Sequence, residues 1–167
     1  MLGIVHSAAG AWLSKASRSR GRAILLGVVS HGVLDYLGHE EPFDEEGNPR
    51  PAVLLPDIGL TVAAIVWLGT RRGWLSPGFL GSLASIVPDA EHLVRLPLGR
   101  GSRKRLLLFP SHRFESLLHS KTRWELSVQG QFGLGVLLWL FLRFWQRGEL
   151  TKTGSSPTTA GSLGRSL

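Results

Sequence analysis

The stretch SHGVLDYLGH, residues 30–39, overlaps the end of an otherwise apolar run from Ala23 to Leu37. In it, His31, Asp35 and His39 follow one another at intervals of four. On an α-helix these positions share one face, because four residues turn the chain by about 400°. Two imidazoles and a carboxylate on one face can converge on a metal ion, and they are costly to bury in an apolar helix without such a partner. The stretch therefore predicts a helix with a metal-binding face.

The distribution of apolar residues predicts an all-α integral membrane bundle of four to five helices around this polar site. The chain has 167 residues, 43% of them hydrophobic, and its mean hydropathy is +0.11. The apolar residues are gathered into blocks with the charges mostly between them, which favours membrane segments over soluble amphipathic helices. We expect a single helical domain over residues 1–148 and a disordered tail over residues 149–167, where the composition is rich in Ser, Thr and Gly.

The expected helices can be placed along the chain from the apolar blocks, at residues 2–14, 22–38, 52–70, 75–94 and 122–147. The blocks at 23–38, 52–70 and 124–145 should expose an apolar belt, with tryptophans near its rims. The first block would be about 20 Å long and is too short to cross a bilayer. The block at 75–94 is weakly apolar and is either re-entrant or buried between helices. These features predict a multi-pass protein of the cell membrane.

The charge and the absence of cysteine restrict the partners and cofactors. The net charge is +7, and much of the excess lies in two basic clusters, residues 15–22 and 95–105. Because no helix-turn-helix or aromatic-interleaved pattern accompanies them, we expect anionic lipid headgroups as the partner and no nucleic acid. The chain has no cysteine, so a metal site must use nitrogen and oxygen ligands, which suits zinc, or manganese, iron or nickel.

Two acidic features have simpler interpretations. The acids of the loop at residues 39–50 are expected to form a solvated connector. Asp57 follows Pro56 near the start of an apolar block, and it could serve as a helix N-terminal carboxylate or face the polar site.

All six histidines fall in four short pieces of sequence, and none falls in the tail. These pieces are His6, the stretch at 30–39, PDAEH at 88–92, and FPSHRFESLLHS at 109–120. Taken singly, each piece has an ordinary explanation, such as a packed core histidine or a helix terminus. Taken together, they predict one metal site whose ligands come from several helices.

These pieces resemble the motifs of a family of membrane-embedded proteins classed as metal-dependent hydrolases. The similar elements are His6 to Gly10, His31 to Asp35, Pro88 to His92, and His112-Arg113 with His119-Ser120. The resemblance lies in short motifs within residues 1–130. Here the His-x-x-x-Asp helix precedes the Pro-Asp motif, whereas in the family it comes last. The run from residue 31 to residue 39 is also similar to metal helices of zinc-dependent phospholipase C-like proteins.

The resemblance and the residues together predict a membrane-bound metal-dependent hydrolase acting on a phosphoester or lipid-linked substrate. The expected metal ligands are His6, His31, Asp35, His39, Asp89, His112 and His119. Glu91 or His92 is expected to act as a base or to orient a ligand, and Arg113 to hold a substrate phosphate. Two alternatives stay open at this stage: a non-catalytic membrane protein with a structural metal site, and a haem-binding helical bundle.

Overall fold

A computed structural model describes residues 1–44, 48–95 and 125–153, and for residues 91–95 and 145–153 it describes the backbone only. Within these ranges the chain forms five helices, which are α1 (Gly3–Ser14), α2 (Arg20–Asp35), α3 (Pro51–Arg72), α4 (Pro77–Arg95) and α5 (Val128–Thr153). The described residues form isolated β-bridges but no strand. The all-α prediction is confirmed for the described residues, and each expected block overlaps one helix.

Local signals explain where several helices begin and end. Ser19 is the N-cap of α2, and its hydroxyl accepts a hydrogen bond from the Arg22 amide, as N-cap serines commonly do. Pro51 opens α3, where its missing N–H costs no helical hydrogen bond. Gly73 ends α3 with a φ of 92°, a conformation that favours glycine. The α5 helix runs to Thr153 and so includes the first residues of the expected tail, whereas residues 154–167 lie outside the described ranges.

The bundle centre is built on close contact between the backbones of α1, α2 and α4. A Cβ atom added at Gly27 of α2 would lie 2.3 Å from the Gly81 carbonyl oxygen of α4, and one added at Gly10 of α1 would lie 2.5 Å from the same atom. Only glycine allows helices to approach this closely, and small residues at helix contacts are typical of membrane bundles. This contact places the polar faces of three helices against one another.

Residues from α3 and α5 hold the first turn of α1. The carboxylate of Asp57 in α3 accepts hydrogen bonds from the Gly3 and Ile4 amides, at 2.8 and 3.0 Å. The side-chain oxygen of Gln131 in α5 accepts the Leu2 amide at 2.9 Å. These amides cannot find partners inside their own helix. Asp57 is therefore an N-terminal carboxylate, as one interpretation of the sequence proposed, but it serves α1 rather than its own helix.

The loop between α2 and α3 is more structured than the expected solvated connector. Glu40 forms an ion pair with Arg50 and accepts the backbone amide of Val128 at the start of α5. This pairing holds the pKa of Glu40 below its usual range, chiefly through the Arg50 hydrogen bond. Two further backbone hydrogen bonds join Leu126 to the loop, at Gly38 and Glu40. The loop therefore fastens the end of α2 to α5.

Candidate metal centre

Three helices bring four chemistry-bearing side chains together. His6 comes from α1, His31 and Asp35 from α2, and Asp89 from α4. Both imidazoles are removed from solvent, with exposed fractions of 0% for His6 and 1% for His31. Because the backbones of α1, α2 and α4 approach closely at their glycine residues, the side chains of these four residues can reach one another directly. Four of the seven predicted metal ligands therefore lie in one cluster.

His31 is held in a fixed orientation by α4. Its Nδ1 atom lies 2.8 Å from the carbonyl oxygen of Ser85, and a carbonyl can only accept, so Nδ1 carries a proton. Its Nε2 atom lies 2.8 Å from Asp35 Oδ2, which as a carboxylate oxygen also only accepts. A neutral imidazole has a single N–H and cannot satisfy both acceptors. The geometry at Nε2 therefore favours a positive charge there, either a second proton or a metal ion.

His6 stacks on His31 and directs an edge toward the same carboxylates. The ring centroids are 4.3 Å apart with an interplanar angle of 29°. His6 Nε2 lies 3.1 Å from Asp35 Oδ1 and 3.8 Å from Asp89 Oδ2. Burial lowers the pKa of His6 to about 3. The ring is therefore neutral at physiological pH, which is the form that binds metals.

Asp89 completes a group with ligand geometry. His6, His31 and Asp89 each offer one ligand atom, and these atoms lie within 4.8 Å of one another. The Asp89 carboxylate oxygens are 3.8 Å from His6 Nε2 and 4.0 Å from His31 Nε2. Tetrahedral coordination with bonds near 2.0–2.1 Å separates ligand atoms by about 3.3–3.4 Å, so small side-chain rotations suffice. Burial raises the pKa of Asp89 to about 7, partly offset by His31.

Asp35 contacts both imidazoles at once. Its two oxygens face His31 Nε2 and His6 Nε2 at 2.8 and 3.1 Å, and Oδ1 also lies 3.2 Å from the Met1 nitrogen. These separations are hydrogen-bond distances, shorter than the separation of two ligands on one ion. In this arrangement Asp35 pairs with His31 and lies beside His6, whose two ring nitrogens have no hydrogen-bond partner among the described residues. A modest shift would make Asp35 a fourth ligand.

His39 lies elsewhere than the helical face on which it was expected. The α2 helix ends at Asp35, with Tyr36 as its C-cap, so the spacing of four does not continue on a helix. His39 Nδ1 donates to the Leu37 carbonyl oxygen at 2.6 Å, and Nε2 lies 2.9 Å from Glu41 Oε1. Nε2 also contacts the Met1 nitrogen, which in turn lies 3.2 Å from Asp35 Oδ1. The prediction that His39 shares the helical face is wrong, because the chain leaves the helix one turn earlier.

The remaining predicted residues lie where the structure gives no side-chain position. Glu91 and His92 belong to the last turns of α4, but their side chains are outside the described set. Arg113, His112 and His119 fall in residues 96–124, outside the described ranges. Their predicted roles stay predictions.

Sequence reasoning missed the Ser85 carbonyl and the Glu41 side chain. Ser85 carried no signal in the sequence, because its backbone carbonyl, and not its side chain, contacts His31. Glu41 carried no such signal, since it sits among five acids in one loop.

No family model, curated protein or solved structure matches this chain.

Proposed function

We propose that this chain is an integral membrane protein that holds a divalent metal ion through His6, His31 and Asp89, and that it uses the ion to hydrolyse a phosphoester or lipid-linked substrate. Zinc is the favoured ion because the ligands are imidazole and carboxylate without thiolate. The observation that carries the proposal is the convergence of two buried imidazoles and two carboxylates from three helices.

The surroundings of the site suit metal binding. His31 donates its Nδ1–H to the Ser85 carbonyl, and metal-binding histidines usually donate their second ring nitrogen in this way. The ligands include one or two carboxylates, which offset the charge of a divalent ion in a buried site. A bound ion of this kind would polarise a phosphoryl oxygen and lower the pKa of water to about 7. With three protein ligands, the site leaves at least one coordination position open for water or substrate.

The haem alternative does not suit the histidine pair seen here. Two axial histidines approach the iron from opposite faces of the macrocycle, each with one nitrogen pointing at the metal. His6 and His31 instead stack side by side, with centroids 4.3 Å apart. No macrocycle fits between rings in that arrangement, so His6 and His31 are not a haem-ligating pair.

The membrane part of the proposal is supported by helix length and by the protein exterior. The α3 helix is long and apolar enough to cross a membrane, and only 33% of its apolar window is buried. The α5 helix contains a shorter apolar stretch, Val128–Phe144. Large apolar side chains are exposed along the outer faces of three helices: Leu25, Val29 and Val33 on α2, Leu55, Val62 and Val66 on α3, and Leu137, Phe141 and Phe144 on α5.

An exterior of this kind on a soluble monomer would be unusual, because contiguous exposed apolar patches are normally small. In α2 the arrangement is inverted relative to a soluble helix, since His31 is buried while Val29 and Val33 face outward. We therefore propose that α2, α3 and α5 contact lipid hydrocarbon in a multi-pass arrangement. We expect the protein to stay with the membrane fraction until detergent is added. Recovery of a stable monomer in detergent-free buffer would contradict this.

Catalysis can be separated from a purely structural metal by comparing Asp35, a carboxylate beside the ligands, with the predicted base. Asp35→Ala removes a carboxylate that contacts both imidazoles, and we expect the metal content to fall. Glu91→Gln keeps the side-chain size but cannot accept a proton, so we expect full metal content and a hydrolysis rate about 100- to 10,000-fold lower. The measurements are metal stoichiometry and phosphodiesterase or lipid-hydrolase rate for each variant.

Two results would count against this assignment. A Glu91→Gln variant with full activity would remove the role of base from Glu91 and make His92 the candidate. A wild type that holds the metal but hydrolyses nothing in a broad panel of phosphoesters and lipids would show that the metal only fastens the helices.

A further inference from the structure

A cavity lies at the other end of the α1–α2 pair from the metal centre. Its volume is about 220 Å³, and it is lined by Leu13, Ala16, Ser17, Arg18, Arg22 and Leu26. Arg22 precedes His31 by nine residues, which places the cavity about 14 Å from the metal centre along α2. The cavity is therefore a separate feature from the proposed catalytic site.

The polar lining of the cavity is suited to an anion. Arg18 and Arg22 both contribute to it, and the ion pairs formed among the described residues do not include either guanidinium. The Ser17 hydroxyl oxygen is buried and has no hydrogen-bond partner in the described part of the chain. A buried polar atom without a partner is costly and calls for a ligand or a water. Arginine is the side chain best suited to bind phosphate oxygens.

The cavity also combines this polar lining with apolar surface. Leu13 and Leu26 line it on the α1 and α2 sides, and Leu13 has 46% of its surface exposed. Nearby, the Lys15 ammonium lies 4.9 Å from the centre of the exposed Trp12 ring. A tryptophan beside a lysine is typical of the level of the lipid headgroups. Apolar and cationic groups around one cavity match the two parts of a phospholipid.

We propose that this cavity binds the phosphate of an anionic phospholipid, with Arg18 and Arg22 contacting the phosphate oxygens. The Ser17 hydroxyl, which is buried in this structure, donates to one of these oxygens after a rotation about its Cα–Cβ bond. Leu13 and Leu26 then contact the glycerol backbone and the first methylene groups. The first amides of α2, at Arg20 and Gly21, have no partner within the helix and add positive potential at the same end. Lipid as the source of the phosphate rests on the membrane location proposed above.

The test is a binding titration of the full chain in neutral detergent, followed by native mass spectrometry. The probes are short-chain phosphatidylglycerol, short-chain phosphatidylcholine and inorganic phosphate. We expect phosphatidylglycerol to bind tightest, and the double variant Arg18→Gln/Arg22→Gln to weaken its binding about 10- to 30-fold. The matched control is Arg71→Gln/Arg72→Gln, which removes the same charge from two exposed residues at the end of α3 and should leave the affinity unchanged.

A second variant keeps the test decisive if the double variant does not fold. Ser17→Ala removes only the buried hydroxyl and should weaken phosphatidylglycerol binding by about tenfold, the effect of one hydrogen bond to a charged group.

Three results would overturn the proposal. If Arg18→Gln/Arg22→Gln and its control lose the same affinity for phosphatidylglycerol, the attraction is non-specific. If neither Ser17→Ala nor Arg18→Gln/Arg22→Gln changes that affinity, the lipid does not bind in the cavity. Inorganic phosphate binding as tightly as the lipid would assign the cavity to a free anion. Metal content measured on the same samples separates these outcomes from failure of the proposed metal site.

Discussion

Replacing His31 with alanine should reduce zinc affinity at least about 100-fold. His31 is buried, and the Ser85 carbonyl fixes its orientation so that Nε2 faces the carboxylates. Zinc sites with four ligands bind with about 10–16 kcal/mol, or about 3 kcal/mol for each ligand, and 1.4 kcal/mol is tenfold in affinity. The measurement is a competition titration of the detergent-solubilised protein against a chromophoric zinc chelator at constant pH.

His39→Gln is the comparison variant for this experiment. His39 is also buried, but its Nε2 atom lies against the Met1 nitrogen and Glu41 rather than in the His6, His31 and Asp89 group. We expect its zinc affinity to stay within about threefold of the wild type, because the substitution leaves the three ligands and the hydrogen bond between His31 and Ser85 in place. It reaches Asp35 only indirectly, through the Met1 nitrogen. Equal losses in the two variants would mean that the site extends to His39, and undiminished binding in His31→Ala would remove His31 from the site.

Gly27→Ala should destabilise the bundle by about 1–3 kcal/mol, although alanine is the better helix former. The added methyl group would lie 2.3 Å from the Gly81 carbonyl oxygen and 2.9 Å from the Ala84 Cβ atom. Because the closer atom belongs to the backbone, α2 and α4 must separate to accept it, and overpacking of this kind typically costs that much. The same movement would lengthen the hydrogen bond between His31 and Ser85, so zinc affinity should fall as well.

The matched control is Gly32→Ala in the same helix. A Cβ atom at Gly32 meets nothing within 4 Å, so the variant should gain up to about 1 kcal/mol from helix propensity alone. The free energy of unfolding, measured by chemical denaturation in one detergent, decides between the two expectations. Equal stabilisation by both substitutions would show that α2 and α4 do not meet at Gly27.

The helices could be predicted from the sequence because their information is local. The apolar blocks fix the bounds of the first four helices within three residues, whereas the last helix is displaced by six residues at each end. The interval of four between His31 and Asp35 correctly places both side chains on one face. The same spacing failed for His39, since nothing in the periodicity showed that the helix would end at Asp35. Hydrophobic periodicity describes faces better than it describes ends.

The contacts that shape the site could not be predicted, because they join distant parts of the chain. Ser85 orients His31 across 54 positions, and Asp57 holds the Gly3 amide across 54 positions. In both cases a backbone group is one of the two partners, and backbone groups carry no sequence signal. The convergence of His6 with His31 was predicted only in outline, because all six histidines fall in four short pieces of sequence beside apolar blocks.

X-ray absorption at the zinc edge of the wild-type protein, purified in detergent with zinc supplied and calibrated by elemental analysis, is the most direct test of the metal centre. We predict about one zinc ion per chain, bound only by nitrogen and oxygen at about 2.0–2.2 Å, with the scattering pattern of two imidazoles. Folded protein that binds no zinc would contradict the proposal. In that case the positive charge between His31 and Asp35 is a proton, and the two residues form a buried ion pair.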